Sequence, residues 1–481
     1  MSTTTRESDA DGSVGGEALL HRGLGAIAIM FMVVAAVAPL GATTVVLPTV
    51  FALSGNASAP TYFIGAAIVL CLFSVGFTLM GRHVPNAGAF YTYVQAGLGK
   101  MAGAGAAVLA LVSYLGLLVA LYAYLGVAAS GVLETYLDVS IPWWVLAFVG
   151  VALVAFLGYR DVDLSAKVLG VVLVLEIVLI MVVNVAIILK GGASGLSAAP
   201  LDPRDALHGA PGLGLMFAFF AFVGFEATAV FRSEAARPNR TVPRATYGAV
   251  IFIGILYALT SWAQAIGVGT DKVASVAGPD PSIMMLNLAG TYVGSAFQDL
   301  LQILLVTSIF ACALSFHNVV ARYQLSLANG RLLPATLGRV HPRHRAPSRS
   351  SLTVTVVTAL ALAVMILGGL DPVAQIYTWF SGAATLGIIV LMALTSLAVI
   401  VFHQRRDHDD PVWKATAAPI LALLALCLVV YLAVDNLGLL VGGQTPALAV
   451  CAGIVGCFVL GAGIAGVKRI RRPEGYAEML G

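Results

Sequence analysis

Two acidic residues stand where acids are costly. Glu176 interrupts the run Val171-Val172-Leu173-Val174-Leu175-Glu176-Ile177-Val178-Leu179, and Glu226 follows Phe222-Val223-Gly224-Phe225. An ionisable side chain at the centre of a membrane helix costs from about 2.5 to over 10 kcal/mol, so each is a functional hypothesis by default. Glu226 could exchange a proton in step with substrate occupancy or attract a substrate ammonium group. Its plainer use is as a hydrogen-bonded brace for a distorted helix. The plainer use of Glu176 is an interhelical hydrogen bond, worth on average about 0.6 kcal/mol. The backbone supplies a second kind of chemistry. Ala38-Pro39-Leu40-Gly41-Ala42-Thr43 puts a proline and a glycine inside an apolar run. Pro39 removes a donor and clashes with the preceding turn, and Gly41 admits backbone angles closed to other residues. Gly224, beside Glu226, offers the same freedom. A helix broken at membrane depth presents free N–H groups at one half-end, which suit an anion, and free carbonyls at the other, which suit a cation. A zwitterionic amino acid has both ends. The alternative is ordinary packing, with Pro39 a kink and Gly224 a close contact, since both residue types are common in membrane helices.

These residues sit in a chain of 481, of which 59% are hydrophobic and 10% charged. A soluble domain carries about 25% charged residues. The mean hydropathy of +0.96 agrees that lipid is the solvent for most of this chain. A soluble enzyme, a nucleic-acid-binding module and a disordered scaffold are excluded. A spanning helix takes roughly 20 apolar residues. The runs predict twelve, at 23–53, 61–81, 101–131, 142–158, 166–190, 212–232, 245–268, 297–328, 352–369, 373–402, 415–434 and 446–467. Lys and Arg set their orientation. With both termini in the cytoplasm, the inner segments hold Arg82, Lys100, Arg160, Lys167, Arg232, Arg237, Arg240 and Arg244, and the Arg331–Arg349 and Arg405–Lys414 groups. The outer loops hold only Lys190, Arg204 and Lys272, with acids such as Glu134, Asp138, Asp271 and Asp371.

The expected architecture is all-α and integral to the membrane. A polar cytoplasmic tail (1–22) precedes five helices (23–190), five more (212–403), two C-terminal helices (414–467) and a cytoplasmic tail (468–481). The interrupted spans, 1 and 6, open the two five-helix halves, which enter the membrane from opposite sides. Interrupted helices at matching positions of inverted halves are the best sequence pointer to a transporter site. Other chemistries find no support. Gly97-Leu98-Gly99-Lys100-Met101 has Met where a phosphate-binding loop needs Ser or Thr. There is no His-Glu-x-x-His pattern and no visible filter loop, which leaves a membrane-embedded enzyme or a channel as remote readings. The cysteines, Cys71, Cys312, Cys427, Cys451 and Cys457, all lie in apolar runs and predict neither disulfides nor zinc. No cofactor and no metal site is expected.

Three motifs carry a family resemblance. Ala87-Gly88-Ala89-Phe90-Tyr91-Thr92-Tyr93 resembles the "G-G-x-Y-x-Y" loop of the amino acid–polyamine–organocation permeases. Phe222 to Glu226 followed by Glu234-Ala235-Ala236-Arg237-Pro238-Asn239-Arg240-Thr241-Val242-Pro243-Arg244 is similar to that family's "F-x-G-F-E" and "E-x-x-x-P-x-R-x-x-P-R". Arg322 with Ala328-Asn329-Gly330-Arg331-Leu332-Leu333-Pro334 is similar to its "R-x-x-x-x-x-A-R-D-G-x-x-P". The three occur in order across spans 1 to 8. One departure is at span 1, where many relatives carry "G-S/T-G" and this chain has Ala38-Pro39-Leu40-Gly41-Ala42-Thr43-Thr44.

The resemblance implies a leucine-transporter-type fold, two inverted five-helix repeats with broken helices 1 and 6 plus two trailing helices. It implies secondary transport of amino acids or amines, commonly proton-coupled, with spans 1, 2, 6 and 7 rocking against 3, 4, 8 and 9. The implied substrate site lies at Ala38, Pro39, Leu40, Gly41, Ala42, Thr43, Phe222, Val223, Gly224 and Phe225, with Tyr114, Tyr122 and Tyr124 of span 3 flanking it and the rings of Phe222 and Phe225 serving as lids. Proton-coupled relatives keep a Ser like Ser165 and a Lys eleven residues on, where sodium-driven relatives hold an ion. This chain has Glu176 at that place, an acid that could bind a proton or, alternatively, help hold Na⁺ with span 1 carbonyls and the hydroxyls of Thr307 and Ser308. The expected partners are a small amino acid or amine, protons or Na⁺, and the lipid bilayer. One acid beside the site and no base argue for a neutral zwitterion over a dianion or a polyamine.

Overall fold

The computed structural model describes residues 24–84, 90–160, 166–233, 235–341, 347–405, 410–471 and 473–479. The 1–22 tail, Ala87-Gly88-Ala89, Ser165 and Glu234 lie outside the described residues, as does the side chain of Lys167.

The described chain is helical, with one isolated bridge between Leu24 and Ala235. Among the described residues, ten helices are long and apolar enough to cross a membrane: Ala59–His83, Lys100–Leu137, Gly170–Leu189, Pro211–Ala229, Pro238–Val268, Ser295–Asn329, Ser348–Leu367, Pro372–Arg405, Trp413–Val441 and Gln444–Arg471. Pairing Ala26–Ala36 with Pro39–Ser54 gives a broken eleventh, bent by 44°. Trp143–Tyr159 adds an apolar helix of 17 residues, at the short end of spanning length. Each expected segment coincides with one of these, and their edges differ from expectation by up to about two turns. The third runs on to Leu137, and the seventh begins at Pro238 with Pro243 held inside it.

Burial separates centre from periphery. Windows of Pro211–Ala229 and Lys100–Leu137 are 89% and 78% buried, against 28% for Ser348–Leu367 and 11% for Gln444–Arg471. Of these ten, the most enclosed windows are those of the second broken helix and of Lys100–Leu137, which meet at Glu226 and Tyr114. On the outside the exposed side chains are apolar, as lipid contact demands: Val171, Val174, Leu175 and Val178 face outward on the same helix that buries Glu176. Small residues set close approaches. Gly97 lies against the backbone of Ala398, where a Cβ would overlap it, so Phe90–Leu98 and Thr378–Arg405 meet backbone to backbone.

Candidate functional site

The first break begins at Ala38, a non-glycine residue in the left-handed region at φ 50° and ψ 75°. The cause is local. The residue before a proline is pushed out of the right-handed helical region, and Pro39 has no N–H with which to continue the Ala26–Ala36 ladder. The chain restarts as a helix at Pro39, with a wider π-helical turn over Ala42–Val46. The first N–H groups of a new helix lack an intrahelical acceptor. One of them, Leu40 N–H, donates to Glu176 Oε2 at 3.2 Å. At the far half-end, Cys312 Sγ donates to the Ala36 carbonyl at 3.4 Å.

The second break follows Phe220. Residues 221–224 form turns, Gly224 stands at φ +111°, and a 3₁₀ segment runs over Phe225–Ser233. That φ is open to glycine and strained for any other residue. Glu226 braces this turn with both oxygens. Oε2 accepts from Gly224 N–H at 2.9 Å, and Oε1 accepts from Tyr114 Oη–H of the Lys100–Leu137 helix at 2.5 Å. The braced turn is linked onward through rings. Tyr114 packs edge-on to Tyr323, Tyr323 to Tyr91, and the Tyr91 hydroxyl pairs with Ser326 at 2.8 Å. The tyrosine motif therefore reaches Glu226 through a chain of edge-to-face rings.

Between the breaks lies a cavity of about 50 Å³, room for only a few waters. Ala38, Gly41 and Ala42 line it from the first break, and Val223, with Phe220 and Ala221, from the second. Leu117, Leu121 and Tyr124 close it on the long-helix side, Ile309, Cys312 and Phe316 opposite, and Tyr377 from the Pro372 turn. Among these lining residues no side chain is charged. Aromatic groups stand at two levels. Tyr377 contacts both Tyr124 and Phe220, at centroid distances of 5.2 and 6.1 Å, while Phe316 pairs with Tyr114 at 6.2 Å. Tyr114 and Tyr124 are ten residues apart on one helix, about 15 Å along its axis.

Several expected site residues stand elsewhere. Pro39, Leu40 and Thr43 are behind the lining: Leu40 turns its amide to Glu176, and Thr43 spends its hydroxyl on the Leu40 carbonyl at 3.1 Å and its carbonyl on Gln264 Nε2 at 2.7 Å. The rings of Phe222 and Phe225, expected as lids, point away from the cavity. Phe222 packs edge-on to Tyr257, and Phe225 sits among Phe73 and Phe77, so neither ring borders the cavity. Thr307 is exposed, and its hydroxyl donates to its own helix at Leu304 O at 2.8 Å, because one residue of rotation, about 100°, turns it off the buried face that holds Ser308. Ser308 is buried beside the Glu176 carboxyl, yet its Oγ has no partner at good hydrogen-bonding geometry; the Tyr257 hydroxyl nearby is in the same state. Tyr122 is fully buried and its hydroxyl makes no such bond either. Sequence reasoning missed Phe220, Phe316 and Tyr377. Their signal was present only as apolar positions near the breaks, which does not separate lining from packing.

Comparison with known proteins follows the same direction. The family model described as amino acid permease matches residues 24–459. The chain is similar to the branched-chain amino acid permease BcaP of Bacillus subtilis, 25% identical over 456 residues, covering 89% of this chain and 91% of that protein. It is similar to the branched-chain amino acid permease BcaP of Lactococcus lactis, 24% identical over 417 residues, covering 80% and 85%. It also resembles an uncharacterized transporter of Mycobacterium tuberculosis, 28% identical over 299 residues, covering 61% and 59%.

Proposed function

The chain belongs to the amino acid permease family, a family of transporters rather than enzymes, and from that premise we propose that it imports a neutral amino acid with an apolar side chain across the cytoplasmic membrane, driven by protons. The observation that carries this reading is the cavity between two broken helices, with backbone polar groups at the breaks and no charged side chain among its lining residues. Backbone N–H and carbonyl groups suit the two ends common to all α-amino acids. An apolar wall then selects the side chain by burial, at roughly 25 cal/mol per Å² of apolar area. A polyamine would be left with its ammonium groups uncompensated there, at a cost of several kcal/mol each. The similarity to permeases named for branched-chain amino acids supports the same substrate class.

The twelve helical segments are read as twelve crossings in two inverted halves plus two, with both termini cytoplasmic. In the present conformation the cavity is small, so a branched side chain enters as its walls part. Proton coupling is assigned to Glu176, whose carboxyl holds the Leu40 amide of the first break. A carboxylate accepts that hydrogen bond better than a neutral acid does, so protonation loosens the tie and frees the half-helix to move. Glu226 is assigned to hold the second break in shape, and a proton on it would weaken the same kind of tie at Gly224.

Uptake into proteoliposomes with an inward proton gradient tests the proposal. Leucine, isoleucine or valine is expected to accumulate and to stop accumulating when a protonophore is added. Lysine, glutamate and putrescine are expected not to compete. Accumulation that ignores the proton gradient and requires internal substrate would make the protein an exchanger.

A further inference from the structure

One cluster of side chains stands apart from the cavity. His83 lies in the last turn of Ala59–His83, His403 in the last turn of Thr378–Arg405, and Asp410 just beyond. More than 300 residues separate the first from the other two. Nε2 of His83 is 2.8 Å from Asp410 Oδ2, and Nε2 of His403 is 3.4 Å from the same oxygen. The two imidazoles meet edge to face at 5.6 Å, and Phe402 packs against both. The side chains are largely shielded but reachable, His403 being 4% exposed, Asp410 16% and His83 25%.

The decisive contact is on the other nitrogen of His403. Its Nδ1 lies 2.8 Å from the Val399 carbonyl. A carbonyl oxygen only accepts, so Nδ1 carries the hydrogen. The neutral ring then presents its Nε2 lone pair to Asp410 Oδ2, which is also an acceptor. Two acceptors facing one another require a positive centre between or beside them. The three candidate donor atoms lie within 4.8 Å of one another. Zinc binds imidazole nitrogen and carboxylate oxygen at about 2.0–2.2 Å, which puts tetrahedral ligand pairs about 3.3 Å apart, close to the spacings here. A backbone carbonyl on the far nitrogen is also the usual partner that fixes a metal-ligating histidine's tautomer.

We propose that His83, His403 and Asp410 form a binding site for a divalent transition metal ion of the zinc class, with water completing the coordination, and that the ion staples the end of Ala59–His83 to the end of Thr378–Arg405. Two imidazoles and one carboxylate are a borderline-soft set suited to zinc and to cobalt or nickel, and poor for magnesium or calcium. Ala59–His83 and Thr378–Arg405 already pack on one another and on Pro211–Phe220, and each also has its own neighbour, Pro238–Val268 for the first and Lys100–Leu137 for the second. An ion held there resists relative movement of the two helix ends.

The test uses purified, metal-stripped full-length protein in detergent. Co²⁺ titration should give the visible absorption of a low-symmetry nitrogen/oxygen site at one ion per chain, displaced by Zn²⁺, and Zn²⁺ should raise the melting temperature. Asp410→Ala and His83→Gln each remove a direct ligand and should weaken binding by at least the roughly 10–100-fold that loss of an outer-shell partner costs, and abolish the thermal shift. Asp435→Asn, at an exposed acid elsewhere, should bind as wild type does. His83→Gln alters the most exposed member of the cluster, and size-exclusion profiles establish that each variant is folded. Wild-type protein that takes up no stoichiometric Co²⁺ or Zn²⁺ overturns the proposal and leaves a proton as the positive centre. Binding that persists unchanged in both folded ligand variants overturns it equally.

Discussion

Glu226 and Glu176 are both buried carboxyls, yet their partners differ in kind. Glu226 has both oxygens engaged, by Tyr114 and by Gly224 N–H. Glutamine at that position can reproduce both contacts, its oxygen accepting from Gly224 and its amide donating to the Tyr114 oxygen, so Glu226→Gln removes titration while keeping the brace. It should fold and bind substrate, and any loss of concentrative uptake in it isolates a proton role; wild-type uptake kinetics would restrict Glu226 to bracing. Tyr114→Phe removes one hydrogen bond to a carboxyl, worth about 1.5–3 kcal/mol, and should lower the uptake rate by roughly 10- to 100-fold. Glu176 ties only one oxygen to the first break and has Ser308 beside it without a good bond. Glu176→Gln should abolish accumulation while retaining exchange of internal for external substrate, measured by counterflow. Proton-driven accumulation in that variant would remove Glu176 from the coupling step.

At the scale of the element, the two breaks have different causes and so different sensitivities. The first is imposed by Pro39, which bars Ala38 from the right-handed helical region; Ala38 takes the left-handed region instead, uncommon for a non-glycine residue. The second is permitted by Gly224 at φ +111° and held by Glu226. A Cβ at Gly224 meets only ordinary contacts, with Val37 and Phe316 at 3.7 and 3.8 Å. Gly224→Ala is therefore opposed by backbone strain rather than by crowding, of the order of 1–3 kcal/mol. We expect a folded protein with a modestly lower melting temperature and uptake reduced at least 10-fold. An unaltered substrate affinity in that variant would mean that the second break does not shape the cavity.

At the scale of the whole molecule, helices are ordered by burial, the broken helix and its long neighbour inside and Gln444–Arg471 outside. The proposed orientation places Asp138 and Gly369 on the exterior and Arg331 and Arg349 in the cytoplasm, following the Lys and Arg bias. Single cysteines introduced at Asp138 and Arg331, in a variant lacking the native cysteines, should be labelled by an impermeant maleimide from outside and only after permeabilisation, respectively. The reverse pattern would invert the topology and turn the proposed importer to face the other way.

Composition, period and the Pro and Gly positions were enough to determine the helical class, the approximate positions of the long apolar helices among the described residues and the two places where a helix fails. Each follows from chemistry local in the chain: the cost of charge in lipid, the missing N–H of Pro39 and the freedom of Gly224. The family was legible too, because its motifs are short and contiguous. Tertiary structure decided which residues at a break face inward. Ala38 and Gly41 line the cavity while Leu40 between them turns to Glu176, and Phe220 replaces Phe222 and Phe225 at the wall. Helical rotation by one residue, about 100°, settles such choices, and the sequence carries no phase for a broken turn. The same holds for Thr307 and Ser308, adjacent in the chain, one exposed and the other buried. The gathering of His83, His403 and Asp410 was invisible for a plainer reason: their proximity is set by how two distant helix ends pack, and no spacing along the chain encodes it.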